Sequence, residues 1–410
     1  MKILVLNAGS SSQKIRLYEL NGGETPETAV SQPPAPLWAA DADWGANGEH
    51  ATIIITTPAG PTTTQYPAGQ REQILTHLLQ QIWQGKQAAI EQPSEIAIAG
   101  HRVVHGGARY RESVLITPRV RADLHQLTSF APLHEPANLE GIEVVERLLG
   151  GIPQVAVFDT AFHRTLPLVA QIYAGPYSWF EQDIRRYGFH GISHRYCARR
   201  SAQLLGRELS SLRVVTCHLG NGCSLAAIRD GQSIDTTMGF TPLEGLMMGT
   251  RSGTIDPEIL LYLQRTRHMT PEDLERVLNH ESGLQGISGL SGDMRTILRE
   301  VARGNERAQL ALELYIYRLR SCLGSMVAAL EGIDVLTFTG GVGEHAVEVR
   351  ARLCAHLGYL GLTLDAEKNA SASGDQEIGA AHSGVRVLVV HTEEDWEIAR
   401  ACREIASSAQ

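Results

Sequence analysis

The chain lacks any C-x-x-C pair. Its six cysteines, Cys197, Cys217, Cys223, Cys322, Cys354 and Cys402, are scattered, so neither a zinc ribbon nor a dithiol redox motif is encoded. No apolar run approaches the ~20 residues of a membrane-spanning helix. The run at residues 3–6 is also shorter than the apolar core of about 7–15 residues that a secretory signal needs. Reduced thiols, a cytoplasmic location and no membrane partner are therefore expected. An excess of positive charge is missing too. A net charge of -9 over 410 residues argues against nucleic acid as the main partner, but leaves room for a small anion held by a few local arginines. Neither G-x-x-x-x-G-K-[ST] nor G-x-G-x-x-G occurs, so a nucleotide site here belongs to another class.

What is present alternates between strand-like and helix-like patterns. The first ~160 residues begin with "KILVLNAGSSSQKIRLYEL", an apolar strand, a turn of small hydroxyl residues ending in a lysine, and a second strand. "HATIIITTPAGPTTTQYP" reads as a β-hairpin about residues 58–61. "REQILTHLLQQIWQ" and "PANLEGIEVVERLLG" read as amphipathic helices, and "EIAIAGHRVVHGG" and "PQVAVFDTAFH" as buried strands. The second part starts on the same plan. "RVVTCHLGNGCSLAAIRDG" is again strand, glycine turn, strand. It is followed by the helices "DPEILLYLQRT" and "ERAQLALELYIYRLRSCLGSMVAAL", then by a strand running through "TGGVGE" into a helix. One α/β plan is used twice.

The turns carry the chemistry. Exposed backbone N–H groups and short hydroxyls converge on an anion without steric hindrance, and Lys14 adds a mobile charge. Either hairpin alone is as readily an ordinary turn; both at matching places in the two halves point to phosphate. The "TGGVGE" turn is a third candidate, since glycines let a nucleotide approach a helix N-terminus. Arg102 and Arg251 stand in apolar or glycine-rich company, where a guanidinium calls for an anion or an internal ion pair. His190 and His194, like His101 and His105, have zinc-like i, i+4 spacing, but they lack the H-E-x-x-H glutamate and sit beside glycines, which argues against zinc. Asp159 at the carboxyl end of a strand is placed like a working carboxylate, and Glu394 opens a helix, where a carboxylate also serves simply to satisfy the dipole.

The segments "NAGSSSQK", "HRVVHGG", "APLHEPANL", "FDTAFHRTLP", "YGFHGISH", "HLGNGCS", "TPLEGLMMGTRSG", "SGDMR", "FTGGVGEH" and "EEDWEIAR" stand in the order seen in the acetate kinase (acetokinase) family, which the chain resembles over nearly its whole length. The resemblance implies two ribonuclease-H-like domains of the actin-like ATPase fold facing each other across a nucleotide cleft. Their expected bounds are 1–160 plus about 394–410, and 161–393. It also implies a homodimer, and reversible Mg²⁺-dependent transfer (Mn²⁺ as a substitute) of the ATP γ-phosphoryl to acetate, giving acetyl phosphate and ADP.

Carried over position by position, the family pattern gives Asn7 and Glu394 to the metal and Ser10, Ser12 and Lys14 to the nucleotide phosphates. Arg102 takes the substrate carboxylate, Arg251 bridges substrate and γ-phosphoryl, His190 stabilises the phosphoryl in flight and Asp159 orients metal or substrate. His134 supports the phosphate site, and Val104, Leu133, Phe189 and Pro242 form the pocket for the methyl group. His218, Leu219, Gly220, Asn221 and Gly222 form the second phosphate hairpin. Asp293, Met294 and Arg295, with Gly341, Val342, Gly343, Glu344 and His345, frame the adenosine. Thr254, His345 and Glu393 depart from the family pattern. Two other readings compete: a kinase for propionate or butyrate, and an actin-like scaffold whose hydrolysis of ATP drives conformation. The arginine pair speaks against the scaffold, which has no need to clamp a carboxylate.

Overall fold

The structure is a computed structural model that describes residues 1–9, 12–20, 33–44, 50–67, 71–128 and 135–408, with the side chain of Glu135 left out. The expectations for Ser10, Leu133 and His134 lie outside the described residues. The chain divides into two compact units, Met1–Ala161 with Glu393–Gln410, and Phe162–Thr392.

The first unit is built on a sheet of eight strands: β1 (Lys2–Ala8), β2 (Ser12–Glu19), β3 (Trp38–Asp43), β4 (His50–Thr57), β5 (Gly60–Pro67), β6 (Ile96–Val103), β7 (Val114–Leu115) and β8 (Gln154–Phe158). Their order is β5-β4-β3-β2-β1-β6-β8-β7. The second unit holds six strands, β9 (Arg213–Leu219), β10 (Cys223–Arg229), β11 (Gln232–Thr236), β12 (Val335–Thr339), β13 (Gln376–Glu377) and β14 (Arg386–Val389), in the order β11-β10-β9-β12-β14-β13.

Set side by side, β3-β2-β1-β6-β8-β7 and β11-β10-β9-β12-β14-β13 are the same sheet. In both, an antiparallel meander leads to three parallel strands, and the edge strand runs antiparallel to the last of them. The hairpin β4–β5 is an addition to the first unit alone. This is the mixed α/β fold of the actin-like ATPases, and the repeated plan read from the two opening hairpins is present in the strand order itself.

The parallel strands are apolar along their length because helices cover them. In β1 every residue from Ile3 to Ala8 is buried. The helix Glu394–Ser408 returns from the far end of the chain to lie on β1 and β6. Gly100 is what allows it to lie close. A Cβ there would stand 2.4 Å from the Cys402 sulfur and 2.7 Å from Ile398 Cγ2. Trp38, Leu17, Ile53, Leu75 and Leu78 fill the core beside it. In the second unit the helix Glu306–Leu330 buries Ala308, Leu312, Tyr315, Leu319, Leu323 and Met326 at helical spacing. The Asn305 side chain caps its start, accepting from the Ala308 N–H.

One element differs from the sequence expectation. The helix after "TGGVGE" is two helices, Gly340–His345 and Val347–Cys354, parted at Ala346 with φ -88° and ψ 81°. Arg350, fully buried, holds the break. Its guanidinium donates to the carbonyls of Gly343 (2.8 Å) and Glu344 (2.7 Å) and to Oδ1 (2.7 Å) and the carbonyl (2.9 Å) of Asn369. The carbonyls that end the first helix thus find a donor outside the helical ladder.

All six cysteines are free thiols. Among the described residues no helix is long and apolar enough to cross a membrane.

Gly340 sits at φ +75°, and a Cβ there would meet the Leu219 backbone at 2.9–3.1 Å; at Gly341 nothing lies within 4 Å. Gly340→Ala is expected to destabilise the second unit by about 1–3 kcal/mol, and Gly341→Ala to leave it nearly unchanged, in urea denaturation followed by circular dichroism.

Candidate active site

In the first unit, β1, β6 and β8 run parallel, so their carboxyl ends lie along one edge of the sheet. That edge carries Asn7, Arg102 and Asp159. Arg102 meets Asp159 with two donors, Nη2 to Oδ2 at 2.5 Å and Nε to Oδ1 at 3.2 Å, and gives Nη1 to the Ala8 carbonyl at 2.7 Å. Burial opposes the charge on Arg102, but Asp159, Glu394 and Asp395 outweigh it and hold the guanidinium protonated above its usual range. The internal ion pair weighed in the sequence reading is therefore present at Arg102. Among the described residues three of its five N–H donors find partners. Asp159 is buried, with both carboxylate oxygens on the Arg102 guanidinium.

Asn7 is oriented from the other side. Its amide nitrogen donates to Glu394 Oε2 at 3.1 Å and to Asp395 Oδ1 at 2.8 Å, which turns the amide oxygen away from the carboxylates and leaves it as an acceptor. Asp395 also meets Arg16 at 3.4 Å. Sequence reasoning missed Asp395, although the "EED" run at the start of the last helix contained it. Asn7 Oδ1 and Glu394 are hard oxygen donors of the kind Mg²⁺ accepts alongside water and phosphate. Among the described residues no group of three or more His, Cys, Asp or Glu side chains is arranged to hold a metal, so the set does not resemble an all-protein cage. Lys14 is paired with Asn7 across the β1–β2 hairpin, and its side chain is exposed. The Ser12 carbonyl closes that hairpin, accepting from the Gly9 N–H at 2.8 Å. Val104 is buried, its N–H bound to Asn138 Oδ1 at 3.1 Å.

In the second unit the corresponding edge gathers four segments. The hairpin tip His218–Gly222 closes with Gly220 N–H to the Gly222 carbonyl at 3.0 Å. Gly340 lies against Leu219, since β12 runs beside β9 and brings Thr339 level with His218. Gly249 binds the Asn221 carbonyl at 3.1 Å and also abuts the Gly292 carbonyl. The tip, the loop bearing Arg251, the segment leading to Asp293 and the "TGGVGE" turn are thereby brought together.

Arg251 differs from Arg102. Its guanidinium is largely buried, and its contacts among the described residues are the Pro242 carbonyl at 3.3 Å and the Met248 sulfur at 3.9 Å. No carboxylate among the described residues pairs with it, and burial pulls it below the usual arginine range, with the Cys223 thiol opposing. The loop is tied by its backbone: Met248 N–H to the Arg251 carbonyl at 3.1 Å, and Ser282 N–H to the Thr250 carbonyl at 3.0 Å. Thr254 has a definite part here. Its hydroxyl accepts from Gly245 N–H at 3.0 Å while its own N–H returns to the Gly245 carbonyl at 3.0 Å. A hydroxyl thus ties Gly245 to Thr254, one of the positions that depart from the family pattern.

His190 precedes the helix Gly191–Leu204 and adopts φ 57°, ψ 24°. Left-handed backbone is unfavourable for a residue with a Cβ, and the fold imposes it here. Tyr187 and Gly188 N–H groups bind the Gly239 carbonyl at 3.0 and 3.3 Å, and Gly188 is wedged between Thr236 and the His163 ring. His190 Nδ1 lies 2.8 Å from Ser224 Oγ, and its ring stacks on His218 at 4.3 Å. A Cβ built on Gly222 would meet His190 Cε1 and Arg251 Nη1 at 3.5 Å and His190 Nε2 at 3.6 Å, so the two side chains converge on that glycine. Phe189 is buried and Pro242 half-buried.

Other expected site residues have structural partners of their own. Glu344 accepts from Gly340 N–H at 3.0 Å and pairs with His391 at 2.6 Å. Asp293 caps the helix Met294–Ala302 and grips Arg295. Met294 is buried, and His345 and Arg295 are exposed.

Residues 2–400 match the model of the acetokinase family. The chain is 57% identical over 406 residues, 99% of its length and 98% of the other, to the acetate kinase of a Cyanothece species. It is 55% identical over 403 residues, 98% of each, to that of Gloeobacter violaceus. Among solved structures, the acetate kinase of Porphyromonas gingivalis superposes with a TM-score of 0.87 at 39% identity over 99% of each chain. A propionate kinase from Francisella tularensis does so with the same TM-score at 36% identity, over 98% of this chain and 99% of its own. An arginine that meets no carboxylate among the described residues, the strand-end carboxylate edge and this full-length match agree: the chain belongs to the acetokinase family and is a phosphotransferase with a carboxyl group as acceptor.

Proposed function

We propose that the protein transfers the γ-phosphoryl group of Mg-ATP to acetate, reversibly, giving acetyl phosphate and ADP. The observation that carries this reading is Arg251. A guanidinium held away from solvent, on a loop tied by backbone hydrogen bonds, and with no carboxylate beside it among the described residues is arranged for an anion from outside the chain.

The chemistry asks little else of the protein. A carboxylate is ionised at pH 7 and attacks without a base. The barrier then falls through positioning and through stabilising the charge spread over the transferring oxygens. Arg251 and His190 Nε2 converge on Gly222 and are suited to those oxygens. Lys14, Ser12, Ser10 and the tip His218–Gly222 serve the nucleotide phosphates, and residues 293–295 and 341–345 the adenosine. Arg102 serves the acetate carboxylate, while Asp159 acts by fixing Arg102 rather than as a base. Val104, Phe189 and Pro242, with Leu133, supply the apolar wall for the methyl group, and His134 supports the phosphates. Asn7 and Glu394 would hold Mg²⁺ directly or through water, and the ion when bound neutralises phosphate oxygens. In this reading the working form is a cytoplasmic homodimer with no nucleic-acid or membrane partner.

Formation of acyl phosphate, trapped as the hydroxamate, tests the reading against one in which ATP is merely hydrolysed. Acetate with Mg-ATP is expected to yield hydroxamate; ATP loss without it would overturn the proposal. Arg251→Ala is expected to lower kcat by roughly 10²–10³ with the fold intact.

Gly222→Ala puts a methyl group at ordinary contact distance from both Arg251 and His190. It is expected to leave stability nearly unchanged while reducing kcat/KM by about tenfold or more, because the methyl group fills space onto which Arg251 and His190 Nε2 converge and shifts the transferring group bound there.

Across C2 to C4 acids, kcat/KM is expected to be greatest for acetate and to fall with each methylene, each step being worth about 1–3 kcal/mol. A maximum at propionate would reassign the substrate.

A further inference from the structure

Behind His190 lies a short file of hydroxyls and imidazoles. Ser224 Oγ is shared by two rings, 2.8 Å from His190 Nδ1 and 2.7 Å from His194 Nε2. His194 Nδ1 in turn lies 2.7 Å from Thr216 Oγ1. Thr216 and Ser224 stand on the paired strands β9 and β10, and His194 lies one turn into the helix that His190 begins. Ser224, His194 and Thr216 have no exposed surface. Ser224 thus sits at the back of the His190 ring, and Gly222 and Arg251 at the front.

From this arrangement we propose that Ser224, backed by His194, is a positioning residue that keeps the Nε2 of His190 a hydrogen-bond donor whether its ring is neutral or charged. The proposal rests on the role of His190 given above. A serine hydroxyl both donates and accepts. In the state proposed for a neutral His190, Thr216 donates to His194 Nδ1, His194 Nε2–H donates to the Ser224 oxygen, and the Ser224 hydroxyl donates to His190 Nδ1, so the one ring proton stays on Nε2, facing Gly222 and Arg251. When His190 is charged, Nδ1 carries a proton too, and the Ser224 oxygen accepts it.

His194 can answer either state. Its ring is held neutral, because burial and the neighbouring rings of His163 and His218 push it well below the usual imidazole range. A neutral imidazole offers one donor and one acceptor nitrogen, and Thr216 serves whichever is turned toward it. Of the other titratable groups beside His190 among the described residues, His218 meets the ring face and Arg251 the Nε2 side. His218 gives its own Nδ1 to Ser193 at 2.8 Å, and burial pushes the Cys223 thiol up to about 11, so it stays uncharged. An open imidazole would divide its neutral form between two tautomers, and only one of them presents a donor to a phosphoryl oxygen.

The experiment compares wild type, Ser224→Ala and Ser224→Cys, the last keeping side-chain bulk with only a weak hydrogen-bonding group. Acyl phosphate formation is measured between about pH 5.5 and 8.5, a range that brackets an imidazole near 6.5. The wild type is expected to hold kcat nearly level. Both variants are expected to lose roughly tenfold in kcat at the alkaline end, less than the 10²–10³ of removing a donor outright, and to recover toward wild type at the acidic end, where imidazolium carries both protons. Loss of rate by one factor at every pH would mean a merely structural role and overturn the proposal, as would wild-type behaviour in Ser224→Ala.

A second readout needs no activity. Nitrogen-15 shifts of the histidine rings at alkaline pH, with His190 assigned by its loss in His190→Gln, are expected to show His190 protonated on Nε2 in the wild type and mixed in Ser224→Ala. A wild-type ring protonated on Nδ1 would overturn the inference even in an active acetate kinase. The Nε2 form in a protein that makes no acyl phosphate would instead sink the functional reading and leave the geometry standing.

Discussion

A buried guanidinium is a demand for negative charge. The chain meets that demand from within at Arg102, where Asp159 supplies two oxygens. At Arg251 no carboxylate among the described residues meets it, and the loop is fastened instead through backbone hydrogen bonds and the Thr254 clasp. Among the described residues the positive charge is thus met by a carbonyl and a thioether rather than by a carboxylate. The surrounding fold serves to hold that charge, and the imidazole beside it, at a fixed distance from Gly222.

The repeated sheet explains why such residues gather. Parallel strands end together, and the groups just past their carboxyl ends cannot be satisfied by a continuing ladder. In the first unit Asn7 and Arg102 stand near the carboxyl ends of their strands and Asp159 just past one; in the second His218 stands near such an end and the glycine turn follows Thr339. Glycines at 100 and 340 let a helix and a strand end approach where a Cβ would intrude, and Gly222 leaves open the space onto which Arg251 and His190 converge. Strand order decides the location, and the missing side chains decide how closely the parts approach.

Much of this was legible beforehand. The two hairpins, the buried parallel strands and the long helix 306–330 follow from hydrophobic period and turn composition, and the strand-end position of Asp159 follows from the strand before it. The break at Ala346 was not legible, because it depends on Arg350 reaching back to Gly343 and Glu344 and across to Asn369. Nor was the use of Glu344 as a cap for its own turn, or of Asp395 beside Asn7, since each needs a partner that pairing in space provides.

The sequence by itself determined the α/β plan, its repetition, the family and the set of residue types able to handle phosphate and carboxylate, because period, turn chemistry and motif order are local properties of the chain. Only the tertiary structure decided which arginine meets a carboxylate among the described residues and which does not, and which nitrogen of His190 is held at its back by Ser224. Those facts depend on groups tens to hundreds of residues apart meeting within hydrogen-bond distance, and no local pattern records such meetings.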